Sequence, residues 1–256
     1  MARRDTLHPL ASQAWARFAC VFVLLFTLYQ TSEYLQTRSA PGQLAGPVLM
    51  LATVLLAWPL GRWLGRRGYD AYALELRSAS ALLLLAGLAI AVAAKLATLL
   101  VAQRAGLVQA TGDALPLSLG FLAMALLTTF VPSVAEDILT RGLLLRSLPA
   151  SLGPWSFVLL SALLYTANHV WRFDWGPTEQ LRLFCLGLVY AAAAWRWQTL
   201  WAAVALHWGW NLGSVLADAV MPVSVVDVSG FRLLSAGAHL LLLALVLLLP
   251  RRPVPA

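Results

Sequence analysis

The 256-residue chain is 61% hydrophobic and only 11% charged, with a net charge of +7. That composition, with a mean hydropathy of +0.77, excludes a soluble domain and describes a multi-span membrane protein. The charge does not point to nucleic acid: arginines cluster at the ends of apolar runs, where they anchor against headgroups, and no basic patch accompanies a groove-reading element.

A helical span needs about 20 apolar residues. In chain order the sequence offers eight such runs, so residues 1–256 read as one all-α, polytopic membrane domain with about eight transmembrane helices and no room for a soluble one. Arg3, Arg4 and Arg17 precede the first run, residues 18–29. The polar, bulky stretch 30–34 that follows carries no small-residue cleavage site, so this run is expected to be retained as a span rather than removed as a leader. The second run, 44–64, ends in Arg62, Arg66 and Arg67. The third, 79–101, contains Lys95, the only lysine; its position near the helix end suggests snorkelling to the interface, with a buried counter-ion as the alternative. After the polar turn 109–113 comes the fourth run, 115–148. Gly153-Pro154 breaks the chain before the fifth, 156–170. The sixth covers 181–195, Gln198 opens the seventh, and the eighth, 233–249, closes on Arg251 and Arg252. With an even number of spans both termini share a side, and that side collects most of the arginines, so both termini are expected in the cytoplasm of a multi-pass cell-membrane protein. Cys20 and Cys185 lie in apolar runs without metal-ligand spacing and read as small buried hydrophobes. His239 has no partner residue nearby and reads as a helix-packing hydrogen bonder.

The fourth run carries Glu136, Asp137, Thr140 and Arg141 where a lipid-facing helix would carry no charge. Ionisable groups at membrane depth are costly, so they face a protein interior or a wet cavity and mark a functional site by default. On a helix Asp137 and Arg141 form an i,i+4 pair, whereas Glu136 is rotated away with Thr140 as its i+4 neighbour. Arginine can therefore neutralise Asp137 and leave Glu136 free. Pro132, one turn earlier, is expected to kink the helix and open room for water. His169 ends the fifth run one turn after Tyr165, and His207 and Asn211 share a face of the seventh. A carboxylate and an imidazole can hold and deprotonate a water, and a second imidazole with a carboxamide can donate hydrogen bonds to an oxyanion. Peptide hydrolysis requires these parts.

Glu136-Asp137-x-x-x-Arg141, Tyr165-x-x-x-His169 and His207-x-x-x-Asn211, ordered on separate apolar runs, resemble the three motifs of the CPBP family of intramembrane proteases. That family includes the CAAX prenyl endopeptidases and bacterial relatives linked to bacteriocin processing and immunity. The resemblance covers about residues 120–215. It implies an intramembrane endopeptidase of the glutamic type with no metal or other cofactor, acting on a peptide or protein substrate at the membrane. Glu136 and His169 would activate water, His207 and Asn211 would form the oxyanion hole, and Asp137, Arg141 and Tyr165 would support the site. The sequence departs from the family pattern in Asp137, where the motif has a second glutamate, and in Tyr165, where it has phenylalanine. Three other readings remain: a zinc protease using Glu136, His169 and His207, although no H-E-x-x-H pairing is present; a non-catalytic immunity or scaffold protein; and a proton-coupled carrier.

Overall fold

The computed structural model describes residues 7–38, 40–77, 80–148 and 153–250. Arg3, Arg4, Arg251 and Arg252, which enter the orientation count, lie outside these residues. The apolar runs form α1 (Leu7–Arg38), α2 (Ala40–Trp63), α3 (Ser80–Arg104), α4 (Leu119–Asp137), α5 (Leu143–Ser147), α6 (Pro154–Asn168), α7 (Pro177–Trp197), α8 (Leu200–Val220) and α9 (Val228–Leu248). Their ends follow local chemistry. Ser118, Thr199 and Asp227 cap α4, α8 and α9 by accepting from the backbone N–H of Phe121, Trp201 and Gly230. α6 and α7 begin with Pro154 and Pro177 at positions whose N–H would be unpaired in any case.

The helices pair as α1 with α2, α3 with α8, and α6 and α9 with α7, while α4 packs against α8. Small residues make the close pairs possible, as expected where lipid supplies no hydrophobic drive between helices. A Cβ on Gly209 would stand 2.7 Å from the Leu88 carbonyl oxygen of α3, and one on Gly187 would stand 2.8 Å from Cα of Ala162 in α6.

Among the described residues, five stretches are long and apolar enough to cross a membrane: Gln13–Gln36, Ala45–Trp63, Ser80–Arg104, Leu119–Ser147 and Val228–Leu248. The remaining helices differ for physical reasons. α6 has 15 residues, about 22 Å at 1.5 Å per residue, less than the ~30 Å hydrocarbon core. α7 carries Glu179, Arg182 and Arg196 within its length. The protein is thus a nearly all-α, multi-pass membrane protein.

Three local features depart from expectation. The connectors after α3 and α8 form a two-stranded antiparallel sheet, β1 (Val108–Ala110) with β2 (Val223–Val225), in the register Val108↔Val225. α4 continues through Pro132, and the irregularity falls later, as a π-turn at Ile138–Gly142. Such a turn inserts one residue into the helix and frees local backbone groups. Here the Glu136 carbonyl accepts from Thr140 Oγ1 at 2.8 Å and the Thr140 carbonyl from Ser161 Oγ at 2.8 Å. Finally, Cys20 is exposed on α1 whereas Cys185 is buried; the apolar run around Cys20 faces outward, where lipid rather than protein covers a thiol.

Gly187→Val is expected to force α6 and α7 apart, because the obstructing atom at Ala162 is backbone. Overpacking of this kind typically costs about 1–3 kcal/mol. Thermal unfolding of the purified protein in detergent should show a lower midpoint than wild type, with Gly153→Val, which meets no atom within 4 Å, as the control.

Candidate active site

Glu136 and Asp137 sit at the end of α4, both buried. Arg141 hydrogen-bonds Asp137 Oδ1 from the π-turn, and both side chains are wholly buried. The guanidinium lies between two aromatic faces, with Cζ 4.9 Å from the Tyr165 ring centroid and 5.3 Å from that of Tyr190. Arg141 Nε and Nη2 have no hydrogen-bond partner among the described residues, so the two π faces are the environment of its remaining charge. Tyr165 therefore contributes its ring to the arginine as well as to His169, whose centroid is 4.8 Å away.

Three imidazoles are oriented by partners that can only accept. His169 follows α6 and places Nδ1 2.8 Å from the Tyr165 carbonyl. That contact assigns the proton to Nδ1 and leaves the Nε2 lone pair facing Glu136 Oε1 at 3.5 Å. His207 on α8 places Nδ1 3.0 Å from Asp137 Oδ1 and Nε2 3.6 Å from Glu136 Oε2. By the same argument, neutral His207 carries its proton on Nδ1. Its ring stacks on Tyr190 at 4.9 Å and 20°. His239 places Nδ1 2.8 Å from the Ser235 carbonyl, and its Nε2 lies 3.4 Å from the Tyr190 hydroxyl. This behaves as a packing histidine, and through Tyr190 it reaches the ring that supports His207.

Asn211, one turn after His207, donates from Nδ2 to Ser133 Oγ at 3.0 Å. Its carboxamide nitrogen carries two hydrogens, so one remains for a ligand. Glu136, Tyr165, His169, His207 and Asn211 all line one cavity of about 410 Å³, within the usual ~300–1,000 Å³ range of ligand sites. The arrangement brings together a carboxylate, two imidazole lone pairs and a carboxamide donor. Chemically it can hold a water, accept its proton and hydrogen-bond a negative oxygen.

Several site residues escaped the sequence reading. Asn168 Nδ2 donates to Glu136 Oε1 at 3.1 Å, and Gln30 of α1 in turn donates to the Asn168 carbonyl and Oδ1 at 2.7 and 2.9 Å. Tyr190 supports both Arg141 and His207. Asn168 had one signal, its place beside His169 at the end of an apolar run; Gln30, 138 positions away from its partner, had none. Lys95 does not snorkel outward: its ammonium lines the cavity, 5.2 Å from the Trp210 ring and 5.4 Å from that of Phe231. The cavity is also lined by Glu179, bonded by Arg182 Nε at 2.9 Å and Arg232 Nε at 3.0 Å, with Arg172 at 3.7 Å. Among the described residues no group of three His, Cys, Asp or Glu side chains is spaced to hold a metal ion.

Residues 118–213 match the family model described as type II CAAX prenyl endopeptidase, Rce1-like. All three motifs fall inside that segment, which therefore carries the domain of the CPBP/CAAX protease family that they resemble. The family is one of peptidases, which implies a hydrolase with a peptide substrate in a membrane setting. No curated protein and no solved structure matches the chain.

Removing either charge of the Asp137–Arg141 pair leaves its partner buried and unpaired. Asp137→Asn and Arg141→Ala should each lower stability by roughly 3–5 kcal/mol, whereas Asp137→Glu, which keeps the charge, should cost less. Denaturant or thermal unfolding in matched detergent micelles provides the measurement; equal stability of Asp137→Asn and wild type would remove the pair from the list of structural determinants.

Proposed function

We propose that the protein is an intramembrane endopeptidase in which Glu136 and His169 activate a water and His207 with Asn211 stabilises the oxyanion. The observation carrying this reading is the convergence of the two Nε2 atoms, at 3.5 and 3.6 Å, on the two carboxylate oxygens of buried Glu136 beside a cavity. Residues 120–215 form the catalytic core of a single membrane domain of eight spans, with both termini in the cytoplasm and the arginine-rich connectors on that side of the cell membrane. The substrate is a membrane-associated peptide or protein, and the reaction uses no metal.

In this mechanism a water bridges Glu136 and His169. Glu136, oriented by Asn168, accepts a proton as the water oxygen attacks the scissile carbonyl carbon. The carbonyl π pair moves onto oxygen and gives a tetrahedral oxyanion, which meets the free Nδ2–H of Asn211. His207 cannot donate at Nε2 while neutral, because its proton is held at Nδ1 by Asp137. Passage of the water's proton from Glu136 to His207 Nε2 supplies that donor and creates an imidazolium as the oxyanion forms. The proton then returns through Glu136 to the leaving amine, the C–N bond breaks, and the carboxyl product forms. Tyr190 and Asp137 hold the ring in place for both transfers.

Glu136→Gln should abolish cleavage while preserving the fold, because the amide keeps the shape but cannot accept the proton. His207→Ala and Asn211→Ala should each lower kcat by about 10²–10³-fold, the usual effect of deleting an oxyanion donor. The assay compares membrane peptidomes of cells expressing wild type and Glu136→Gln, followed by peptide cleavage with purified protein. Full activity in chelator with metal-free protein is expected; one zinc per active chain would replace this mechanism with metal-assisted hydrolysis. For the orientation, reporters fused to either terminus should read cytoplasm, and an extracytoplasmic C-terminus would overturn the eight-span count.

A further inference from the structure

The cavity has a second chemical wall, which the hydrolytic mechanism leaves unused. Three guanidiniums, from Arg172, Arg182 and Arg232, converge on the single carboxylate of Glu179, which is buried. One negative charge offsets three positive ones. The cluster also ties the segment after His169 to α7 and α9, since Arg232 Nη1 donates to the Trp175 carbonyl at 2.8 Å and Arg172 lies over the Trp175 ring. Structural tying accounts for these arginines only in part, because a neutral hydrogen-bonding residue would make the same ties without crowding like charges.

Lys95 adds a fourth cation to this wall. Its ammonium faces the cavity over two aromatic rings and forms no hydrogen bond and no ion pair within 4.0 Å among the described residues. Arg182 and the exposed carboxylate of Asp218 lie within electrostatic range of it, and Glu33 lines the cavity beside Arg172; neither acid is bonded to the lysine. An ammonium within a membrane-spanning helix is costly, and this one, held against two ring faces, keeps its three donors open to a ligand in the cavity. The wall also adjoins the reacting groups. The Arg172 N–H bonds the His169 carbonyl at 2.9 Å, and Trp210, beneath Lys95, precedes Asn211 in α8.

We propose that Lys95, with the arginine cluster around Glu179, forms a carboxylate-binding subsite that anchors one end of the peptide substrate while Glu136 acts on a bond nearby. The proposal rests on the peptidase reading for its substrate class, and its ligand chemistry is a carboxylate from one of two sources. One is the peptide's own C-terminus; the other is an acidic side chain. Lys95 is a positioning residue in this scheme, because it holds the substrate without touching the reacting atoms.

The test measures binding to the uncleaving Glu136→Gln protein in nanodiscs, so that it does not depend on turnover. The probe is a fluorescent peptide with an S-prenylated cysteine three residues from its end, prepared as the free acid, as the C-terminal amide, and as the amide with glutamate at the last position. Anisotropy titrations should show the acid binding roughly 10- to 100-fold more tightly than the plain amide, the scale of a charge-assisted hydrogen bond to a buried partner. In the Lys95→Gln background the acid should fall to the level of the amide, and Lys95→Arg should recover most of the preference. If the glutamate-bearing amide instead shows the Lys95-dependent gain, the subsite stands and its source is a side chain. Equal binding of all three peptides, no binding of any, or a preference that survives Lys95→Gln would overturn the subsite. Failure of the peptidase reading appears separately, as the absence of any peptide cleaved by the purified wild-type protein.

Discussion

The buried ion pair between Asp137 and Arg141 is the constraint on which the rest of the site depends. Two opposite charges placed in a helix that crosses lipid must find their partners inside the protein, because lipid offers neither donors nor acceptors. Asp137 Oδ1 accepts from both Arg141 and His207, while its Oδ2 has no partner among the described residues. Arg141 lies between the rings of Tyr165 and Tyr190. Those partners come from the π-turn after α4 and from α6, α7 and α8, so one pair of charges ties these helices together around a cavity that α1, α3 and α9 also line. Glu136 is left outside the pair as the carboxylate with access to the cavity.

The backbone around the pair is arranged by the same rule. A π-turn exposes carbonyls that a regular helix would pair, and in lipid each would cost several kcal/mol if left alone. Hydroxyls within reach, Thr140 and Ser161, take them up. The extra residue of the turn falls at the point where Arg141 must swing toward Asp137 while Glu136 points elsewhere. From the other side, Gln30 of α1 fixes Asn168, and Asn168 fixes Glu136. α1 therefore serves the site through hydrogen bonds two residues removed from the chemistry, although its outer surface, with Cys20, is given over to lipid.

Much of this was readable where it depended on spacing along one helix. The i,i+4 relation of Asp137 and Arg141, the isolation of Glu136 with Thr140, and the His207–Asn211 face each follow from 3.6-residue periodicity, and each has the expected geometry. Partnerships across helices were not readable, because nothing local to Gln30, Asn168 or Tyr190 encodes which helix will face them. Five described stretches have the length and hydropathy of a span, and the other helices fall short of that measure for a related reason. Hydropathy finds helices by their contact with lipid, whereas α7 and α8 are largely buried and devote positions to Arg182, Glu179, His207 and Asn211, and α6 is short. Lys95 was read by its distance from a helix end, a rule for lipid-facing lysines; a Cβ added at Gly213 would stand 3.0 Å from the Lys95 Cβ, so the glycine lets that face of α3 lie close on α8, where the ammonium lines the cavity.

The tautomers give the site an order of events. Asp137 and the Tyr165 carbonyl each hold an Nδ1 proton, so both imidazoles present lone pairs to Glu136, and a ring without a proton at Nε2 has nothing to offer an oxyanion there. A site preorganised in this state favours water and its proton over a negative oxygen, and it converts to the opposite preference only after a proton has been removed from water. In the proposed mechanism stabilising charge would then arise at His207 together with the charge it opposes, instead of standing permanently in a low-dielectric cavity where its desolvation would be costly. Arg141 could not play this role: its charge is fixed, and Asp137 and two tyrosine rings already take it up.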